Sequence, residues 1–326
     1  MPSIWTHNLF GDEAVRRHGP AGSLAGEGLR PLFHLGCQGP DFLFYHRFLP
    51  WQGQSAMNLL GTLMHQARCG DALMTMADTV RRSGARPADP LAVYVLGFML
   101  HHVLDRNMHP FVFCKSGFRK WDHQRFEVIL DTIVVKKKLG LETWRTPVWR
   151  QIHCGDALPD EVVKMLDAVA KAHYPEIHRQ IEAFEWNEAY RDMLRAQRLF
   201  HDPYGIKRAL TFGRIEPLVY KRRFPDLDYM NESRAAWRHP ADPAEVSAAS
   251  FWDLWDIAME DARRVLEAAC AYMFADAADE AGQGADRRED AGRRERLAQA
   301  IGNISYEHGK PCDLGLEIRH AEPVWR

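Results

Sequence analysis

Apolar residues recur at helical spacing along most of this chain, and the strict alternation that marks a half-buried strand is scarce. The pattern predicts a helix over 55–82, ending near Gly84 and Pro87. A second helix takes Asp89 as its N-cap and Pro90 as its first residue, and runs through Val93, Leu96, Leu100 and Leu104. It is expected to stop at Pro110, which has no N–H to give and whose ring clashes with the preceding turn. A third covers Asp122 to Lys138 and closes at Gly140. Its last turn, Lys136-Lys137-Lys138, suits the negative end of a helix dipole and reads as a solvated helix end. Further helical periodicity covers roughly 159–173, 176–200, 247–277 and 287–302, and Leu314–Ile318 is the best candidate for a strand. The expected fold class is therefore all-α, a multi-helix bundle.

Composition bounds this picture without changing it. With 326 residues, 46% hydrophobic and 26% charged, the chain can bury a substantial core. A formal net charge of −2 and the lack of a dominant basic stripe argue against a long nucleic-acid partner. The six cysteines (Cys37, Cys69, Cys114, Cys154, Cys270 and Cys312) are widely spaced and form no CxxC pair, which suggests a reducing compartment rather than a zinc ribbon or redox dithiol. The start, Met-Pro-Ser-Ile-Trp-Thr-His, lacks the basic and apolar regions of a secretory leader, and no run of ~18 apolar residues occurs. A cytoplasmic location is expected.

The chemistry concentrates early. In His101-His102-Val103-Leu104-Asp105-Arg106-Asn107-Met108-His109, three polar residues stand four apart, so on a helix His101, Asp105 and His109 share one face. Leu100, Val103, Leu104 and Met108 surround them. An ionised Asp buried there costs several kcal/mol (about 2–7 even for a neutral polar group) unless it is paired, and a divalent cation would pair it. His123 and Glu127 repeat the i, i+4 pairing one helix later, and a turn at Lys115-Ser116-Gly117 would fold the two faces together. Asp131 is one turn further on, either fixing an imidazole from behind or lying on the surface. Upstream, Asp41 follows a rigid Gly39-Pro40 turn, and His65 interrupts an apolar helix. Alone, His65 reads more simply as a hydrogen-bonded core residue, and His7 carries less still. His102 points about 100° away from His101 and reads as packing or as a support behind the ligands, not as a ligand itself.

Taken in order, these residues resemble the zinc-dependent phospholipase C family of bacteria, in particular an intracellular branch of it, and the related trinuclear-zinc nucleases. The likeness covers about the first 130 residues. It rests on His7, Asp41, His65, His101 with Asp105, His109, and His123 with Glu127, which follow the family's ligand order. The resemblance implies a helical bundle of that type with two or three Zn2+ ions. One ion would use Asp41, His65, His101 and Asp105, a second His109, His123 and Glu127, and a third His7 with a bridging Asp105. It also implies Asp41 as the catalytic carboxylate that orients or deprotonates water. Two features depart from the family. Three residues separate Asp105 and His109 where five are usual, and six residues precede His7 where the family uses a processed N-terminal amine. The third site is therefore expected to be the weakest.

The coarse division that follows places the metal-binding helical core in 1–140 and supporting, pocket-forming helices in 141–275. A flexible polar linker is expected at 276–295, around Gly282-Gln283-Gly284, and a C-terminal segment at 296–326. The expected substrate is a small phosphoester or a phospholipid. The aromatic stretch from Phe42 to Trp51 is either a pocket wall with transient membrane-surface contact or a buried loop. Trp237, Trp252 and Trp255 read as core. Arg47 and Arg145 are candidate phosphate holders. A nuclease or nucleotide phosphoesterase on the same scaffold, and a non-catalytic helical protein with a structural metal, are the alternatives. An HD-type phosphohydrolase needs an adjacent His-Asp pair, which this region lacks.

Overall fold

The computed structural model describes residues 4–20, 28–275 and 285–325. It is mostly helical, as expected. In chain order the helices are α1 (Ile4–His18), α2 (Arg30–Gly36), α3 (Ala56–Gln66), α4 (Cys69–Ser83), α5 (Pro90–Ser116) and α6 (Asp122–Leu139). They continue with α7 (Asp160–His173), α8 (Pro175–His178), α9 (Glu185–Phe200), α10 (Ile206–Leu210), α11 (Phe251–Met273) and α12 (Ala285–Ile301). A short antiparallel hairpin, β1 (Trp237–His239) and β2 (Asp242–Ser247), lies between α10 and α11.

α5 is the axle of the molecule. It is apolar around nearly its whole circumference, and a helix of that kind must be covered on every side. α1, α2, α4, α6 and α11 pack around it. α11 is set by a capping box, in which Ser250 accepts from the Asp253 N–H and the Asp253 carboxylate accepts from the Ser250 N–H. Trp237 and Trp255 are core residues and Trp252 packs at the core's edge, as expected.

Several boundaries differ from the sequence expectation. Pro110 does not end its helix, and α5 runs on to Ser116. Proline leaves the Arg106 carbonyl without its usual donor. Gly309 packs directly on that oxygen, where a Cβ would stand only 2.2 Å away. Burial of Phe111, Val112 and Cys114 beyond the proline offsets the ~3 kcal/mol such a residue costs inside a helix. The stretch 55–82 is two helices broken at Arg68, which takes a left-handed conformation. That break frees the His65 carbonyl to accept from Tyr306 N–H (3.0 Å) and Ser305 Oγ (3.2 Å). The stretch 176–200 is likewise split between α8 and α9. Helices α1 and α2 were not expected.

Leu314–Ile318 is no strand. Gly315 turns left-handed there, Leu314 is exposed, and the N–H groups of Arg319 and His320 go to the Pro240 carbonyl of the hairpin turn. Of the expected linker, 276–284 lies outside the described residues and Ala285 onward is helix. The fold also brings two free cysteines together: Cys69 and Cys312 stand 3.5 Å apart, sulfur to sulfur. Among the described residues, no helix is long and apolar enough to cross a membrane.

Candidate metal centre

The one-turn spacing on α5 does what the sequence requires of it. Asp105 is buried, and its Oδ2 lies 3.0 Å from His101 Nε2 while its Oδ1 lies 3.3 Å from His109 Nε2. α1 brings His7 to the same carboxylate, Nε2 to Oδ1 at 3.2 Å. The turn after α5 folds α6 back, so Glu127 Oε1 lies 3.2 Å from His123 Nε2 and 3.6 Å from His109 Nε2. From the other side, the 3-10 turn Gly39–Tyr45 presents Asp41 Oδ1 to His65 Nε2 at 3.0 Å and to His101 Nε2 at 4.0 Å. All eight expected ligands thus converge on one centre. Seven are buried, and His123 is the most exposed.

Three sets of potential ligand atoms fall within 4.8 Å of one another: His7, His101 and Asp105; Asp41, His65 and His101; and His109, His123 and Glu127. These sets could hold metal ions. The partition differs from the one implied by the resemblance: Asp105 groups with His7 and His101 alone, and His101 rather than Asp105 is common to two sets.

In three of the five imidazoles the second nitrogen indicates the tautomer; Nδ1 of His7 and of His123 has no such partner. His65 Nδ1 lies 2.7 Å from the Gly61 carbonyl, His101 Nδ1 3.0 Å from Cys37 O, and His109 Nδ1 3.0 Å from Tyr306 O. A carbonyl only accepts, so each Nδ1 donates its proton there. Each Nε2 lone pair is then left facing a carboxylate oxygen, an arrangement that repels unless a proton or a cation lies between. Several inward atoms lack a hydrogen bond of acceptable geometry: His101 Nε2, Asp105 Oδ2 and Glu127 Oε2. Buried polar atoms are rarely left so.

The charges point the same way. Burial alone would raise the carboxylates, yet His101, His109 and His7 hold Asp105 well below its usual range. Asp41 is lowered in the same sense by His65 and His101, and Glu127 by His123 and His109. Burial opposes charge on His109 too, but Asp105 and Glu127 push it up to about 10. Three buried carboxylates held in the ionised form therefore demand cations, whether imidazolium protons or metal ions.

Other residues play roles the sequence left open or hid. His102 is packing, as expected, with Nε2 on the Ile304 carbonyl. Asp131 neither backs an imidazole nor lies on the surface. It is wholly buried at the start of α1 and accepts from the N–H groups of Trp5 and Thr6, the Thr6 hydroxyl and the Tyr220 hydroxyl. It thereby fixes the turn that carries His7. Tyr306 was missed, because nothing in its local sequence marks it. Its ring packs on His65, His101 and His102 while its carbonyl orients His109. Arg47 pairs with Glu185 and Arg145 stacks on Trp144, so neither is placed as a phosphate holder. Phe42, Leu43 and Tyr45 are buried, which favours the buried-loop reading of that stretch; Trp51 stands exposed. A fourth group, His46 with Glu185 and Glu188, was also missed, and there His46 is satisfied by Ser55 Oγ at 2.8 Å and Glu188 at 2.9 Å. Beside the main centre is a cavity of about 20 Å3, lined by His7, Asp105, His109 and Glu127 and walled by Leu104, Met108 and Phe251. It has room for about one water.

Comparison of this chain with models of known protein families, with curated proteins and with solved structures finds no match.

Proposed function

We propose that this protein is a zinc-dependent hydrolase of phosphate esters, of the phospholipase C type, built on the centre around Asp105. The observation that carries the reading is the set of three imidazoles whose Nδ1–H groups are committed to backbone carbonyls, leaving Nε2 lone pairs aimed at buried carboxylates. The donor set suits Zn2+, which accepts mixed imidazole and carboxylate ligation. His7, His101 and Asp105 would hold one ion, Asp41, His65 and His101 a second, and His109, His123 and Glu127 a third. Bound there, Zn2+ supplies positive charge for phosphate oxygens and lowers the pKa of water toward ~7.

The chain's own groups do the rest. Asp41 stays ionised and is available to orient water or take its proton. The apolar wall of Leu104, Met108, Val112 and Phe251 keeps bulk water out, which strengthens every charge interaction inside. His123, the most exposed of the ligands, follows directly on the loop that carries exposed Phe118 and Trp121. That loop is the proposed substrate entrance.

The test is metal content per chain in protein purified without added metal or chelator, paired with a phosphodiester hydrolysis assay. Two or more zinc ions per chain, with activity lost to chelator and restored by Zn2+, supports the reading. Metal-replete protein that hydrolyses neither a chromogenic phosphodiester nor a phospholipid overturns it.

A further inference from the structure

The segment after α9 presents its apolar side chains to solvent. Tyr204 is 86% exposed, Ile206 59%, Leu210 74% and Phe212 92%. Ile206 and Leu210 are one turn apart on α10 and so share a face, with Tyr204 and Phe212 at its two ends. A scattered exposed Leu needs no explanation, but four large apolar residues within nine positions do.

The segment is held in this posture. Asp202 accepts from the N–H groups of Lys207 (3.1 Å) and Arg208 (3.0 Å) at the start of α10. Lys207 Nζ reaches back to the Arg198 and His201 carbonyls at the end of α9. Phe212 sits at φ +50 in the turn that ends α10, with its N–H on the Ala209 carbonyl.

Charge identifies the occupant. Between Arg191 and Arg223 there are nine lysines and arginines against three acidic residues, in a chain whose formal net charge is −2. Arg214 stands exposed beside the apolar residues, while Lys207 and Arg208 lie half-buried at their base, held by the carbonyls at the end of α9 and by Asp202. A nucleic acid would match the charge but has no use for Ile206 and Leu210, which do not stack on bases. An anionic lipid surface takes both: aliphatic and aromatic tips enter the headgroup boundary while basic groups pair with phosphates. We propose that residues 204–214 form a membrane-surface docking element for anionic phospholipid. In the aromatic stretch 42–51, where the sequence pointed to such contact, Phe42, Leu43 and Tyr45 are buried and Trp51 is the large apolar residue left exposed. This inference deepens the hydrolase reading by naming a lipid surface as the source of substrate, but its test needs no activity.

The experiment is co-sedimentation of the full chain with phosphatidylglycerol vesicles and with phosphatidylcholine vesicles, for the wild type and for Leu210→Ser/Phe212→Ser. Both positions are exposed, so the double variant should keep the wild-type circular dichroism and metal content. The proposal expects wild-type binding to phosphatidylglycerol, at least tenfold weaker binding to phosphatidylcholine, and at least tenfold loss in the variant. It also expects weakening when salt is raised from about 0.1 to about 1 M, as the Debye length shrinks from ~10 to ~3 Å. No wild-type binding, or equal binding by the variant, overturns it. So does a wild-type dimer that the double substitution converts to monomer in the absence of vesicles, since the patch would then be covered by a second copy. Vesicle binding without phosphoesterase activity would leave the docking element standing and remove the hydrolase.

Discussion

Replacing Asp105 tests the centre most directly, because that single carboxylate faces three imidazoles: His101 at 3.0 Å, His7 at 3.2 Å and His109 at 3.3 Å. Asp41 and Glu127 each face two, at 3.0 and 4.0 Å and at 3.2 and 3.6 Å. In the absence of metal, removing one member of a buried charge pair costs ~3–5 kcal/mol, a large share of a typical stability of ~5–15 kcal/mol. Asp105→Ala therefore confounds metal loss with unfolding, and Asp105→Asn, which keeps the shape and removes the charge, is run beside it. Asp105 belongs to the set of His7 and His101, and its Oδ1 also faces His109 of the set containing Glu127, so both variants are expected to lose metal from these two sets, whereas His123→Ala loses it only from the latter. The loss per affected site should be at least tenfold in affinity, about 1.4 kcal/mol or more. The assay is metal per chain by mass spectrometry across a chelator series, with circular dichroism to confirm folding. If Asp105→Asn is folded and keeps as much metal as the wild type, the shared-carboxylate argument is wrong.

Three further outcomes follow from particular contacts. His7→Ala should release only the most weakly held metal in a chelator titration, and emptying of every site would show that the sets are not separable in the way drawn here. Gly39→Ala should destabilise the protein and reduce metal content together, since Gly39 sits at φ +50 and a Cβ would stand 2.1 Å from the His101 ring. The backbone alone accounts for ~1–2 kcal/mol, so an unchanged urea midpoint counts against the geometry. Burial lifts Asp131 to about 7, against the hydrogen bonds that lower it, so the folded protein keeps a proton the unfolded chain has released. Stability should therefore fall as pH rises from about 4 to about 7, at up to ~1.4 kcal/mol per unit from this group, and level off above. Urea midpoints at pH 5.5 and 7.5 for wild type and Asp131→Asn isolate the effect, and a difference between the two proteins that does not change with pH rules it out.

Local sequence determined the helical class and the pairs at the heart of the candidate centre, for one physical reason. Both depend on local periodicity, and His101, Asp105 and His109, like His123 and Glu127, are paired by the geometry of a single helix. His7, Asp41 and His65, weak alone, entered only through what the family resemblance implies. Tertiary structure decided what no local pattern encodes. Whether Pro110 breaks a helix depended on Gly309, almost 200 residues away, and on the core that rewards its continuation. Asp131 was read as backing an imidazole or facing water, yet it holds the start of α1, because the two segments meet only in the folded bundle. Tyr306 orients His109 through its backbone carbonyl, a contact that any residue type could make and that side-chain reading therefore misses. Likewise nothing in the local sequence singled out Ile206, Leu210 and Phe212, and only their exposure in the folded chain made them a surface.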